Sequence, residues 1–467
     1  MNQRSSFSLL LLPLAAPFLI VAASATTVLD PLPEHSTTHF GQTLVTLGDI
    51  NGDGVPDVAV AAPFQDGDFL STDASYGKPQ NVGKIFVLDG SNLSVLEELN
   101  DPEFEQIQPQ HFGGQLGYSM STVADLDADG IADLIAGVPH HIGDPTSHEA
   151  IINAGEAFVF SGKDGHVLFT LVDPTAEEDG KMGTAVAGLG DVNADGSADL
   201  LVGVPGKDIG GEDGLPNVGL AYVFSGSTGQ LIRTLNHPEE GGSEAGAAFG
   251  AAVANAGDID ADGVSDLLIG APGQGRAYTF SGKTGNLIFT ISSPVSETLH
   301  SFGTTVAGGK DFNRDGKPDF VIGAPLRDAL RGAAYIFNGS DASLQRTLLP
   351  AQRKPFARFG ASLVVTDDLT GDRRPDIVVS APHQNVNGLL HAGAITIFEG
   401  RRGRIFQTLN STTPQAQAAY GTGITTGDFD SDGLATVVAG TPDQSANLDE
   451  ETGVVPHLQI GQIEIQP

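Results

Sequence analysis

Seven short stretches of this 467-residue sequence place oxygen-bearing side chains at alternate positions. In the first, Asp49-Ile50-Asn51-Gly52-Asp53-Gly54-Val55-Pro56-Asp57, such side chains stand at positions 1, 3, 5 and 9, and Val55 at position 7 offers its backbone carbonyl. Alternation of this kind turns successive oxygens toward one centre, and Gly54 at position 6 supplies the positive φ of the sharp turn. With only oxygen donors, the set suits a hard divalent cation of flexible coordination, calcium, rather than zinc.

The second stretch offers Asp125, Asp127, Asp129 and Asp133 with the carbonyl of Ile131; the third offers Asp191, Asn193, Asp195 and Asp199 with Ser197. Asp258, Asp260, Asp262 and Asp266 with Val264 make the fourth, and Asp311, Asn313, Asp315 and Asp319 with Lys317 the fifth. Two stretches depart from the pattern. In the sixth, Asp368, Thr370, Asp372 and Asp376 with Arg374 keep the oxygens, but Arg373 replaces the glycine; in the seventh, Asp428, Asp430 and Asp432 with Leu434 are followed by Thr436 in place of the last carboxylate. A single D-x-D-x-D-G would be an ordinary turn. Repetition at matching places argues otherwise, because carboxylates packed this densely oppose folding unless a cation neutralises them.

The elements that must hold these loops repeat with them, at a period of about 60 residues. Each unit reads as an aromatic-Gly pair, a short apolar strand, the Asp-rich loop, a second apolar strand ending in a small-residue-Pro turn, and two further strands. In the first unit Phe40-Gly41 precedes a strand at Leu44-Val45-Thr46; Val58-Ala59-Val60, Lys84 to Leu88 and Val95 to Leu99 follow as strands. Third strands recur nearly verbatim as Ala157-Phe158-Val159-Phe160, Ala221-Tyr222-Val223-Phe224, Ala277-Tyr278-Thr279-Phe280 and Ala334-Tyr335-Ile336-Phe337. Four strands per unit predict an all-β fold, a seven-bladed β-propeller of four-stranded antiparallel blades. After the seventh loop only Gln462 to Gln466 remains as a third strand, and Thr27-Val28-Leu29-Asp30-Pro31 matches the fourth-strand signature Thr170-Leu171-Val172-Asp173-Pro174. The expectation is that the N-terminal strand completes the last blade and leaves no exposed edge.

Composition narrows the setting. No cysteine is present, which excludes disulfides, thiolate metal sites and a cysteine nucleophile. Against 23 Lys and Arg stand 58 Asp and Glu, a net charge of −35 that argues against nucleic acid or an anionic membrane as partner. Arg4, the apolar run Leu9 to Ala22 and the small-residue site Ala23-Ser24-Ala25 read as a secretory signal over residues 1–25. The remaining chain, 26–467, is then expected to be exported as one propeller, with no later segment apolar enough to span a bilayer.

Phe249-Gly250, the loop Asp258 to Asp266 and Gly270-Ala271-Pro272 together resemble an FG-GAP repeat of the integrin α-chain head and of related bacterial secreted proteins. Phe302-Gly303 with Gly323-Ala324-Pro325, and Phe359-Gly360 with Ser380-Ala381-Pro382, resemble it too; Leu116-Gly117 and Met182-Gly183 depart at the aromatic. The resemblance covers about residues 27–467. It implies a propeller with calcium in the loops between first and second strands, serving adhesion. The expected partner is an extracellular protein or glycan, and the chain is expected to be a monomer. Related repeats also accompany secreted hydrolases such as a phospholipase, which makes a hydrolase, a lyase or an accessory domain of one the alternative; a structural matrix component is a further one.

The segments of most varied length, Phe64 to Val82, His140 to Ala154, Gly206 to Val218, His383 to His391 and Asp443 to Leu458, fall on the face opposite the Asp-rich loops, where recognition is expected. Phe69, Tyr76, His140 and His141 are the exposed candidates there. Catalytic motifs are incomplete. His148-Glu149 lacks the second histidine of a zinc protease, since Ile152 stands in its place, and Ser281 to Gly285 is a hairpin turn that recurs at Ser161 to Gly165 and Ser225 to Gly229. The chain is expected to be no enzyme.

Overall fold

Short apolar strands separated by glycine-rich turns fold here into small antiparallel sheets. A computed structural model describes residues 38–66, 81–103, 113–141, 151–210, 214–238, 245–296, 299–443 and 463–466. The first sheet comprises Thr43–Thr46, Val58–Ala62, Lys84–Leu88 and Val95–Asn100; the second Ser119–Val123, Asp133–Val138, Glu156–Phe160 and Val167–Val172. The third takes Ala185–Gly188, Leu200–Val204, Leu220–Phe224 and Leu231–Asn236; the fourth Ala252–Gly257, Asp266–Ala271, Arg276–Phe280 and Leu287–Ser292. Thr305–Lys310, Asp319–Ala324, Ala333–Phe337 and Leu344–Leu348 form the fifth, and Leu363–Thr366, Asp376–Ala381, Ala394–Glu399 and Arg404–Leu409 the sixth. In all six the strands pair in chain order.

The expectation of seven four-stranded blades is corrected: the described residues form six. The remaining strands, Ile424–Gly427, Thr436–Gly440 and Ile463–Gln466, make a three-stranded sheet. Its fourth strand was to come from Thr27 to Pro31, which lie outside the described residues, as does the expected signal segment 1–25. The first strands nevertheless touch one another in cyclic order through all the sheets, with Thr43–Thr46 lying against both Ser119–Val123 and Ile424–Gly427. A belt of hydroxyls ties them: Thr122 Oγ1 donates to Thr46 O at 2.8 Å, and Thr46 N donates to Thr425 Oγ1 at 3.1 Å across 379 residues of sequence.

Burial explains the composition of each strand. In the first sheet the second and third strands are buried throughout, since neighbouring sheets cover both faces, and they are accordingly near-continuous apolar runs. The fourth strand, Val95–Asn100, is largely exposed, with Glu97 and Glu98 facing solvent and only Leu99 buried. Residues at the head of each repeat, Phe40, Leu116, Met182, Phe249, Phe302, Phe359 and Tyr420, are all buried, so Leu116 and Met182 fill the same space as the aromatics.

The glycines of the repeat meet across the sheet-to-sheet contact. A Cβ on Gly203 would stand 1.9 Å from the carbonyl oxygen of Gly250, one on Gly270 2.0 Å from that of Gly303, and one on Gly440 1.9 Å from that of Gly41. The small residue of one second strand thus packs on the glycine that heads the next repeat, and the last such contact joins the two ends of the described ring.

Candidate functional site

Each Asp-rich loop organises itself around its first carboxylate. Asp49 Oδ1 accepts the N–H groups of Gly52 (2.7 Å) and Asp53 (3.1 Å), and Oδ2 accepts that of Gly54 (2.8 Å). The pattern returns at Asp125, Asp191, Asp258, Asp368 and Asp428, each accepting from positions 5 and 6 of its own loop. Asp311 accepts from Arg314 and Gly316. At positions 3 and 5, Asn51 Oδ1 accepts from Asp53 N and Asp53 Oδ1 from Val55 N, both at 2.9 Å. Gly54, Gly130, Gly196, Gly263, Gly316 and Gly433 at position 6 all have positive φ, as the turn requires, and Arg373 adopts φ 62° in the sixth loop. Position 4 is left-handed as well, through Ala128, Ala194, Ala261, Arg314 and Ser431, a conformation for which those residue types give no signal.

These N–H donors stabilise the charged form. The Gly130 N–H, foremost, holds the Asp125 carboxyl below its ordinary value despite the opposing effect of desolvation. Asp195 is drawn down to about 2, chiefly by the Ser227 hydroxyl, which donates at 2.7 Å. Asp49 Oδ2, with the Gly54 N–H as its one donor here, keeps a second lone pair for a cation.

Ligand atoms of Asp125, Asp127 and Asp133 lie within 4.8 Å of one another, as do those of Asp258, Asp260 and Asp262 and those of Asp428, Asp430 and Asp432. The seventh loop, lacking its last carboxylate, still gathers three. In the third and fifth loops the Asn193 and Asn313 amides donate to Asp195 Oδ2 (2.8 Å) and Asp315 Oδ2 (3.2 Å), linking positions 3 and 5 directly.

The last aspartate of the motif has a structural task that sequence alone does not display. Asp57, Asp133, Asp199, Asp266, Asp319 and Asp376 are fully buried. In each, Oδ2 accepts the N–H of loop position 2 at 2.7–2.9 Å. Oδ1 accepts a glycine N–H from the turn between third and fourth strands at 2.9–3.2 Å: Gly90, Gly162, Gly226, Gly282, Gly339 and Gly400. One carboxylate therefore staples the two turns of a blade on the same face. Only glycine allows this approach, because a Cβ on Gly339 would sit 1.7 Å from Pro318 O. Burial raises the carboxyl pKa of all six, Asp266 up to about 6. Thr436, the seventh equivalent, is buried at the start of its strand.

On the opposite face one expectation is corrected. His141 is buried rather than exposed, its ring set edge-on to Phe158, whereas His140 is partly exposed. Phe69, Tyr76, His148 and Glu149 lie outside the described residues. Ser281 to Gly285 closes as the expected turn, Gly285 N donating to Ser281 O at 2.8 Å, and the Ser161 and Ser225 turns close alike.

The family model described as "FG-GAP repeat" matches residues 40–88, 249–286, 302–337 and 359–398. Integrin alpha-4 of Xenopus laevis is 34% identical over 190 residues, covering 37% of this chain and 18% of the integrin chain. Integrin alpha-5 of the same organism is 28% identical over 291 residues, covering 58% and 26%. The chain thus spans about a quarter or less of the length of these relatives. A crystal structure described as BBS1N in complex with ARL6DN, soaked with lead, overlays 86% of this chain and 89% of that one with TM-score 0.50 at 9% identity, a likeness of fold alone. With its buried repeat heads, glycine-to-glycine contacts and stapled loops, the chain carries FG-GAP repeats and is similar in sequence to integrin α chains.

Proposed function

We propose that this protein is an exported, calcium-loaded propeller that works as a binding and adhesion module for an extracellular protein or glycan. The observation that carries the reading is the row of pre-turned, oxygen-lined loops on one face, each with backbone N–H groups already directed at its first carboxylate. The ligands would be Asp49, Asn51, Asp53 and the Val55 carbonyl in the first loop and their counterparts in the other six, with the buried last aspartate bracing the loop. Calcium fits the donor chemistry because no nitrogen or sulfur enters the set. Neutralised loops would make the face rigid and leave the varied segments of the opposite face to recognise the partner. The proposed boundaries are a cleaved signal over 1–25 and one propeller over 26–467. Adhesion follows from the resemblance to the integrin α-chain head rather than from any surface feature.

A glycan and extracellular-protein array probed with the purified chain, once in millimolar calcium and once in chelator, tests the proposal. Binding in calcium that disappears in chelator is expected. Calcium-independent binding, or turnover of a lipid, glycan or peptide substrate, would replace this reading with another.

A further inference from the structure

Away from the Asp-rich loops, the turns that end the second strands of the second, third and fourth sheets send His141, Lys207 and Gln274 toward the end of the preceding sheet's fourth strand. Lys207, in the third blade, is buried, with Nζ 2.9 Å from Asp173 Oδ2 and 3.6 Å from Glu177 Oε2. The corresponding pair one blade earlier is His141 and Asp101, both buried, with His141 Nε2 3.9 Å from Asp101 Oδ2. Two more carboxylates join them. His141 Nδ1 is 2.8 Å from Glu156 Oε1, and ligand atoms of Glu103, His141 and Glu156 lie within 4.8 Å of one another.

The fold holds the imidazole there without a full set of partners. His141 N donates to Val138 O and its carbonyl accepts from Gly155 N, both at 3.1 Å, while the ring packs edge-on to Phe158. With the residue only 2% exposed, Nε2 has no hydrogen-bond partner among the described residues, Asp101 Oδ2 standing 3.9 Å away. Charge is unbalanced as well. Lys207 faces two carboxylates, Asp173 and Glu177, whereas His141 faces three, Asp101, Glu103 and Glu156. An imidazole nitrogen among carboxylate oxygens is a donor set for zinc and its first-row neighbours, unlike the all-oxygen loops.

We propose that Glu103, His141 and Glu156 form a buried site for a divalent transition-metal ion of the zinc type, with Asp101 placed to orient the imidazole. The ion would pin the end of the first blade to the second, as the Lys207–Asp173 ion pair pins the second to the third.

Equilibrium dialysis of the full chain against zinc, with calcium held in large excess to occupy the loops, tests this. One tight zinc equivalent is expected, with X-ray absorption reporting a single histidine among oxygen donors. His141→Lys puts into the site the ammonium that the third blade uses, so it should fold, keep its calcium-saturated melting temperature and lose the tight equivalent. Glu103→Gln, at the less buried edge, should weaken zinc binding and serves if His141→Lys misfolds. The proposal is overturned if wild type takes up no tight zinc, if excess calcium displaces it, or if uptake survives both substitutions, which would put the ion elsewhere, for example on the stacked pair His383 and His391.

Discussion

At the scale of single residues, two kinds of aspartate share one motif and ought to fail differently. Asp53 is exposed, and its loop hydrogen bond to Val55 N survives replacement by asparagine. Asp53→Asn is expected to cost nothing in chelator and about 1 kcal/mol in millimolar calcium, the linkage expected for a site with Kd of ~10⁻⁴ M. Asp319 is buried and accepts from Phe312 N, Asn313 N, Gly339 N and Gln345 Nε2. Asp319→Ala should cost about 3 kcal/mol with or without calcium, because it strands buried donors. Urea titrations of both variants in each condition separate the two roles. The buried carboxylates also set a pH dependence. Burial lifts Asp266 from an ordinary 3.8 to about 6, and Asp57, Asp133, Asp199, Asp319 and Asp376 in the same direction. Over that window the folded state binds more protons than the unfolded one, so stability falls as pH rises. Cation-free protein should be less stable at pH 6.5 than at pH 4.5, and calcium should flatten or reverse the trend. What the sequence revealed at this scale was the oxygen alternation; the double duty of position 9 was hidden, since its partner glycines lie in another turn.

At the scale of elements, the sequence was most legible where one strand type repeats. Lys84 to Leu88 is the observed third strand of the first sheet, and the expected Leu44 to Thr46 and Val95 to Leu99 each differ from the observed strand by one residue. Such runs declare themselves because burial on both faces demands unbroken apolar sequence. The completion of the last sheet was a matter of long-range pairing, for which local pattern carries little information, and the four-stranded expectation there was corrected. His141 shows a related limit: it follows a strand in a segment of varied length, and it packs beside Asp101, just past the first sheet's fourth strand, and Glu156, which opens its own sheet's third strand. The glycine contacts give a test of how the elements join. Gly203→Ala would push a Cβ to 1.9 Å from Gly250 O and should lower stability by about 2 kcal/mol or more. Gly48→Ala, with no atom within 4 Å of the new Cβ, should stay within about 0.5 kcal/mol of wild type in the same thermal melts.

At the scale of the whole molecule, the ring is held from inside by apolar strands and threonine hydroxyls, and its acidic loops work against it. The net charge of −35 collects heavily in seven turns on one face, so the folded ring would be strained by its own field without counter-charge. Cation binding would convert that repulsion into attraction, and each site of ~10⁻⁴ M affinity would contribute about 1.4 kcal/mol at ~1 mM ion. The sum over seven loops would be comparable with the net stability of a typical domain. Fold and cation supply would then be inseparable, which suits a protein working where calcium is plentiful. The most direct measurement is calorimetry on the purified chain: calcium titrated into cation-free protein, followed by thermal scans with calcium and with chelator. Uptake of several equivalents and a melting temperature higher in calcium by on the order of 10 °C are expected. Absence of calcium uptake together with the same melting temperature in both buffers would contradict the account.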